Sequence, residues 1–251
     1  MAIFERYIGV DYSGAGLPTS RRSGLRVFLG TPATVPAQVR PNAQGWNWTR
    51  RELAAWLDVE LRRTIPTIVG IDHGFSFPAT YWSQHKLVTW DDFLDDFVHH
   101  WPTADRDVES LRAGNPRSGQ ASDLRLCEQW TAAAKSVFLF DVQGAVAMST
   151  HAGLPWLRAL RRAQIGVHFW PFDGWAVPSG ATVVAEIYPS LFRRRFPRMP
   201  GDGPDEHDAR SICAWLRERD QSGFLTSYFE PRLSGADRQA ALLEGWILGV
   251  M

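Results

Sequence analysis

The sequence predicts an α/β fold built on one central mixed sheet. Three runs carry that expectation: Tyr7-Ile8-Gly9-Val10-Asp11, Thr67-Ile68-Val69-Gly70-Ile71-Asp72 and Thr182-Val183-Val184-Ala185-Glu186-Ile187-Tyr188-Pro189. Each is short, rich in Val and Ile, and apolar on both sides, as strands covered on both faces are. Each also holds a carboxylate: Asp11, Asp72 or Glu186. An unpaired buried charge is costly. Three in such strands point to one shared partner, most simply a divalent cation.

The other elements follow in order. Asp11-Tyr12-Ser13-Gly14-Ala15-Gly16 is a tight turn of small residues after the first strand. A second strand fits 25–30. Prolines at 32, 36 and 41 restrict any third strand to a short edge position. Thr49-Arg50-Arg51-Glu52 is a capping box and opens a helix to about Arg63, with Leu53, Trp56, Leu57, Glu60 and Leu61 at helical spacing. The 67–72 strand comes next. The stretch from 73 to 180 does not repeat a strand–helix pattern and reads as a largely helical insertion over the sheet. Within it, helices are expected from Thr89, over 122–134 and from Pro155 to Ala163, with a loop at 113–120, a turn at 141–145 and an aromatic loop at 170–175. After the 182–188 strand come a short helix over 190–196, a helix beginning at Asp205-Glu206-His207-Asp208, and a last helix over 234–248. The whole, 1–251, reads as a single domain.

Composition narrows the function. Net charge is zero, with 27 basic and 27 acidic residues, which argues against nonspecific coating of nucleic acid. The basic residues are nearly all Arg. Arg193, Arg194, Arg195 and Arg198 form one local cluster, and Arg158, Arg161 and Arg162 another; either is a solvated face or a phosphate contact. No apolar run approaches the roughly 20 residues that span a bilayer, and the first residues lack the pattern of a signal peptide. Cys127 and Cys213 make no disulfide framework, so a reducing cytoplasm is expected. The sequon Asn47-Trp48-Thr49 then carries no glycosylation meaning. Twelve Trp are many for 251 residues, and most should fill core.

Asp11, Asp72, Glu186 and Asp208 are the candidate site. Parallel neighbouring strands bring their C-terminal ends to one rim of a sheet, and Asp208, in the first turn of a helix, can add a fourth carboxylate. Hard oxygen ligands suit Mg2+ or Mn2+. Each residue also has a structural reading. Asp11 can cap the turn at Ser13, Asp72 the turn at His73-Gly74, and Asp208 with Asp205 can complement a helix dipole. Glu186 can be a salt-bridge partner.

Read in order, Tyr7 to Ala15, Gly70-Ile71-Asp72 with Phe75-Ser76-Phe77-Pro78, Val142-Gln143-Gly144-Ala145-Val146-Ala147, Ala185-Glu186-Ile187-Tyr188-Pro189-Ser190 and His207-Asp208-Ala209 resemble the DUF429 family of ribonuclease H-like proteins. The resemblance implies a mixed five-stranded sheet with helices on both faces. It also implies an acidic metal site at the ends of the central strands and hydrolysis of phosphodiester bonds in a nucleic acid, DNA or RNA. By position Asp11 matches the first-strand carboxylate, Asp72 the fourth-strand one, Asp208 that of the C-terminal helix, and Glu186 the glutamate of the later strand motif. Ribonuclease H itself carries its glutamate on the first helix; Glu52 and Glu60 lie on the equivalent helix here, in no recognisable motif.

Three functions compete. The first is a divalent-metal-dependent nuclease, with His207 or His73 assisting proton transfer and Arg and Trp of the insertion holding the strand. The second is a nucleotide-binding phosphotransferase or ATPase of the actin-like superfold, for which the turn after Asp11 would meet phosphate; against it, no P-loop or Gly-x-Gly-x-x-Gly is present. The third is a non-catalytic binding protein, disfavoured by the retention of four carboxylates. No membrane partner is expected, and oligomeric state is not legible.

Overall fold

The computed structural model describes residues 2–41, 47–131, 134–142, 144–164 and 166–251. In chain order the elements are β1 (Arg6–Asp11), β2 (Arg26–Thr31), β3 (Thr34–Val39), α1 (Arg50–Leu61), β4 (Thr67–Asp72), α2 (Ala79–His85), α3 (Trp90–His100), α4 (Val108–Arg112), α5 (Leu126–Trp130), α6 (Ala147–Ala163), β5 (Val167–Trp170), β6 (Thr182–Glu186), α7 (Pro204–Gln221), α8 (Leu225–Tyr228) and α9 (Gly235–Glu244). Two 3-10 turns, Pro189–Leu191 and Arg193–Arg195, stand where a short helix was expected.

The strands form one mixed sheet in the order β3-β2-β1-β4-β6-β5. β1, β2 and β3 are antiparallel neighbours, whereas β1, β4, β6 and β5 run parallel. The strands bearing Asp11, Asp72 and Glu186 are therefore adjacent at the centre. Among the described residues the sheet has six strands, not five. The sixth, β5, lies inside the segment read as an insertion; four residues leading into an aromatic loop gave no periodic signal. β3 is the short edge strand expected, and it tolerates Pro36 because it has a neighbour on one side only.

Both faces are covered. On one, Ile8, Val10, Val69, Ile71 and Val184 pack against Leu53, Leu57 and Leu61 of α1, Phe93 and Phe97 of α3, and Leu154 and Leu157 of α6. The three α1 leucines bury roughly 5–9 kcal/mol of apolar transfer energy, which fixes a 12-residue helix that alone would be marginal in water. On the other face Tyr7, Ile68, Val183 and Ala185 meet Ala209, Ile212, Cys213 and Leu216 of α7.

α6 begins eight residues before Pro155 and carries it inside the helix, so the helix start expected at Pro155 is corrected. Pro155 has no N–H to give to the His151 carbonyl. The Thr103 hydroxyl donates to that oxygen instead, at 2.5 Å. A contact supplied from 48 residues away is invisible to local sequence reading. The helix expected over 122–134 is only Leu126–Trp130, and residues 132–133 lie outside the described residues. The last helix stops at Glu244, where Gly245 takes φ 77°. Among the described residues no helix is long and apolar enough to cross a membrane.

Candidate metal centre at the strand ends

β1 and β4 end together: Asp11 and Asp72 are Cα partners in the parallel ladder. Adjacent strands lie about 4.8 Å apart, and partners in register point to the same face. Two carboxylates are thus held side by side by backbone hydrogen bonds alone. Their face is the one α7 covers, and two glycines let it approach. A Cβ on Gly9 would lie 2.3 Å from the Ala209 carbonyl oxygen, and one on Gly70 would lie 2.9 Å from Ile212 Cγ2. With Gly9 opposite Gly70 in the ladder, α7 sits directly on the sheet and brings Asp205 and Asp208 to the strand ends.

These side chains line an open cleft of about 900 Å3, together with the Ser13–Ala15 loop, Gly144, Ala145, Val146, Met148, Ser149, Tyr188 and Arg193. Asp11 and Asp72 are half-buried at its floor. Among the described residues neither carboxylate accepts a hydrogen bond. Burial, then the neighbouring Asp72, Asp205 and Asp208 carboxylates, push the Asp11 pKa well above the ordinary carboxylate range. Burial, Asp208 and Glu186 do the same to Asp72. Burial also raises Asp205 and Asp208, the latter against the pull of Arg193, whose Nη1 lies 2.6 Å from Asp208 Oδ2. Arg193 is the cation that relieves all three of Asp11, Asp72 and Asp208.

The floor loop is gripped from behind. Arg50, 1% exposed on α1, donates to the carbonyls of Ser13, Ala15 and Gly16 at 3.3, 3.0 and 2.6 Å. Gly14 lies against the first turn of α6, where a Cβ would come within 2.0 Å of the Met148 carbonyl oxygen.

Glu186 does not join the aspartates. Its Cα partner is Ile71, so it points to the face opposite Asp72. Arg125 takes both of its oxygens, Nη2 to Oε1 at 2.6 Å and Nη1 to Oε2 at 2.7 Å, and the Phe75 N–H donates to Oε2 at 2.9 Å. Arg125 Nε donates to Glu128 at 2.8 Å, and the Leu126 N–H donates to Glu244 at 2.6 Å. This buried network joins β6, α5, α9 and the segment after β4. A chamber of about 30 Å3 lies between it and the cleft, bordered by Asp72 and Glu186. The expected convergence of Asp11, Asp72 and Glu186 on one cation is therefore corrected: two of the three converge, and the salt-bridge reading describes Glu186.

His73 is buried against the rings of Tyr12 and Phe75 and does not line the cleft. Its Nδ1 donates to the Gly74 carbonyl at 2.8 Å, and burial lowers its pKa to about 4, so it is a neutral core residue near neutrality. Glu52 caps α1 and pairs with Arg21, and Glu60 pairs with Arg6 and Arg63, so neither reaches the site. Sequence reading passed over Arg125 and Arg50, which carry no motif, and knew Arg193 only as part of a basic cluster.

Among the described residues no three Asp, Glu, His or Cys side chains form a ready cage for a metal ion. The donor chemistry still fits Mg2+ or Mn2+, because Mg2+ is commonly held by one or two carboxylates with water and substrate phosphate filling the remaining positions. Asp11 and Asp72 are two carboxylates of that kind, side by side at the cleft floor, while Asp208 is held by Arg193. Compared with protein-family models, with curated proteins and with solved structures, the chain matches none, so the family resemblance gains no support from these comparisons.

Proposed function

We propose that this protein is a divalent-metal-dependent nuclease of the ribonuclease H-like class, hydrolysing phosphodiester bonds in nucleic acid. The observation that carries the reading is the Asp11–Asp72 pair. Two carboxylates stand in register at the floor of an open cleft with, among the described residues, no hydrogen-bond donor on either, an arrangement that is costly unless a cation is meant to share them. The sheet order and the antiparallel β2 also agree with that class.

When bound there, Mg2+ or Mn2+ supplies charge neutralisation at the phosphate and makes a water more acidic. Asp11 and Asp72 would hold the cation, and Asp208, here paired with Arg193, would be a further ligand. Arg193, released, meets the phosphate oxygens with a planar donor fork. Arg50 and Gly14 keep the floor loop in one conformation, so that the ligand pair is set before substrate arrives.

One observation favours a second reading, the actin-like phosphotransferase. The carbonyls of the Ser13–Gly16 loop turn onto Arg50, and among the described residues the N–H groups of Ser13, Gly14, Ala15 and Gly16 find no acceptor, as in a loop that receives phosphate. One experiment separates the two. The protein is assayed with Mg2+ or Mn2+ on single-stranded, duplex and hybrid oligonucleotides beside ATP, with chelator and Asp11→Asn as controls. Strand cleavage lost in both controls supports the nuclease. ATP turnover without cleavage supports the second reading, and full cleavage by Asp11→Asn rejects the site.

A further inference from the structure

The cleft does not end at Arg193. A second groove of about 380 Å3 continues from it, sharing Arg193 and Asp208 and lined onward by Arg194, Phe196, Arg198 and His207. Its charge is opposite to that of the cleft floor. Arg195 is neutralised by Glu218 at 2.6 Å, but Arg194 has no carboxylate partner among the described residues. Arg198 has none either; its Nε donates to the Asp202 backbone carbonyl at 2.9 Å and leaves the end of its guanidinium uncommitted. The His207 Nδ1 is buried without a hydrogen-bond partner. Phe196 offers part of an aromatic ring at the same surface.

Two uncommitted guanidinium groups, an imidazole and a ring in a groove that runs into a pair of carboxylates are more than a solvated helix face. Arg forks match phosphate oxygens, a ring accepts a base by stacking irrespective of sequence, and the acidic floor repels the same strand unless a cation sits there. Binding at the groove and cation loading at the floor are thus separate requirements on one ligand.

We infer that the Arg194–Arg198–His207 groove is the track for the phosphodiester backbone of a nucleic acid strand flanking the phosphate that lies over Asp11 and Asp72. This rests on the nuclease reading and adds where the strand runs. Arg194 and Arg198 take successive phosphates, Phe196 stacks a base, and Arg193, at the junction, belongs to both sites.

The test is binding without turnover. A fluorescein-labelled oligothymidylate of about 12 residues, within the usual span of single-strand sites, is titrated with the protein in EDTA at several salt concentrations. Arg194→Glu/Arg198→Glu should lose on the order of tenfold or more in affinity at low salt. The slope of log K against log salt should fall by about 1.4, two phosphates at about 0.7 each. Arg62→Glu/Arg232→Glu is the control: both side chains are exposed and lie toward the other end of the sheet, Arg62 just before β4 and Arg232 just after Phe229, which packs on Phe4 ahead of β1. It should bind as the unaltered protein does. Equal losses in both variants would mean that any two charges suffice and would overturn the track. So would unchanged binding by Arg194→Glu/Arg198→Glu, or no binding by the unaltered protein. Cleavage measured separately with Mn2+ tells the two failures apart. Cleavage with an unaffected groove variant sinks the track alone, and groove-dependent binding without cleavage sinks the nuclease reading alone.

Discussion

Asp11 and Asp72 occupy partner positions at the last rung of the β1–β4 ladder, two carboxylates held on one face by strand register. No side-chain hydrogen bond has to form to bring them together, and among the described residues none relieves them. Eased only in part by the charge of Arg193, the pair repels in the metal-free protein, and on the proposed reading a cation would relieve it.

Asp11→Asn should accordingly raise the metal-free Tm while weakening cation binding. Each kcal/mol of relieved repulsion is worth about 2–4 °C in a chain of this size. Mn2+ should raise the Tm of the unaltered protein by mass action and leave Asp11→Asn nearly unmoved. Thermal unfolding in EDTA and in Mn2+ reads both, and an equal Mn2+ shift in the two proteins would remove Asp11 from the site.

The pH dependence has two opposing parts. Asp11 and Asp72 have raised folded pKa values, so their contribution favours the fold at acid pH and is lost as pH rises through those values. The buried His73 and His151 are lowered to about 4 and about 3 from 6.5, so their contribution is full above 6.5 and is lost as pH falls. At about pH 5 the two histidines together cost roughly 4 kcal/mol, at about 1.4 kcal/mol per pH unit for each. Between pH 7 and about pH 5 the carboxylate and histidine contributions run in opposite directions, so the quantity to read is the difference between two proteins rather than net stability. The stabilisation of Asp11→Asn over the unaltered protein should shrink across the same range, as the Asp11 carboxylate takes up its proton. Denaturant titrations at the two pH values check it, and a stability gap that widens on acidification would contradict the raised Asp11.

Arg125→Met leaves Glu186, Glu128 and Glu244 buried without their cation. The expected loss is about 3–5 kcal/mol, as when one partner of a buried pair is removed. Adding Glu186→Gln should recover part of it, since one orphaned charge is gone while an oxygen remains for the Phe75 N–H. Urea unfolding of the single and double variants tests this; a double variant less stable than the single would mean that Glu186 is not the anion Arg125 serves.

Gly9→Ala should destabilise by about 1–3 kcal/mol or more, because the obstacle 2.3 Å from the new Cβ is the Ala209 backbone of α7 and cannot rotate away. The helix must shift, carrying Asp208 with it, so Mn2+ affinity should fall as well. Gly30→Ala is the control, with its closest neighbour at 3.4 Å. Matching denaturation midpoints for the two would show that α7 does not lie as close as described.

The central strands, the carboxylates at their ends and the two capped helices α1 and α3 were legible because each is encoded within a few residues. Val and Ile runs mark buried strands, and Thr49-x-x-Glu52 and Thr89-x-x-Asp92 satisfy their own helix ends. Alternation along a strand is equally local, but which neighbour sets its phase is not. Glu186 looked like a third ligand until its register with Ile71 turned it to the other face, where an arginine 61 residues earlier in the chain takes both oxygens.

The same distinction covers the rest. β5 and the full length of α6 depend on a sheet edge and on a hydroxyl from Thr103, partners that no window of sequence contains. By itself the sequence determined the α/β class, the central strands and the acidic residues at their ends, since hydrophobic periodicity and capping act over one or two turns. Only the tertiary structure decided which carboxylates share a face, which are neutralised by Arg125 and Arg193, and where the arginine groove meets the cleft. Those outcomes turn on distances of a few ångströms between residues far apart in the chain, where a Coulomb or hydrogen-bond partner either is within reach or is not.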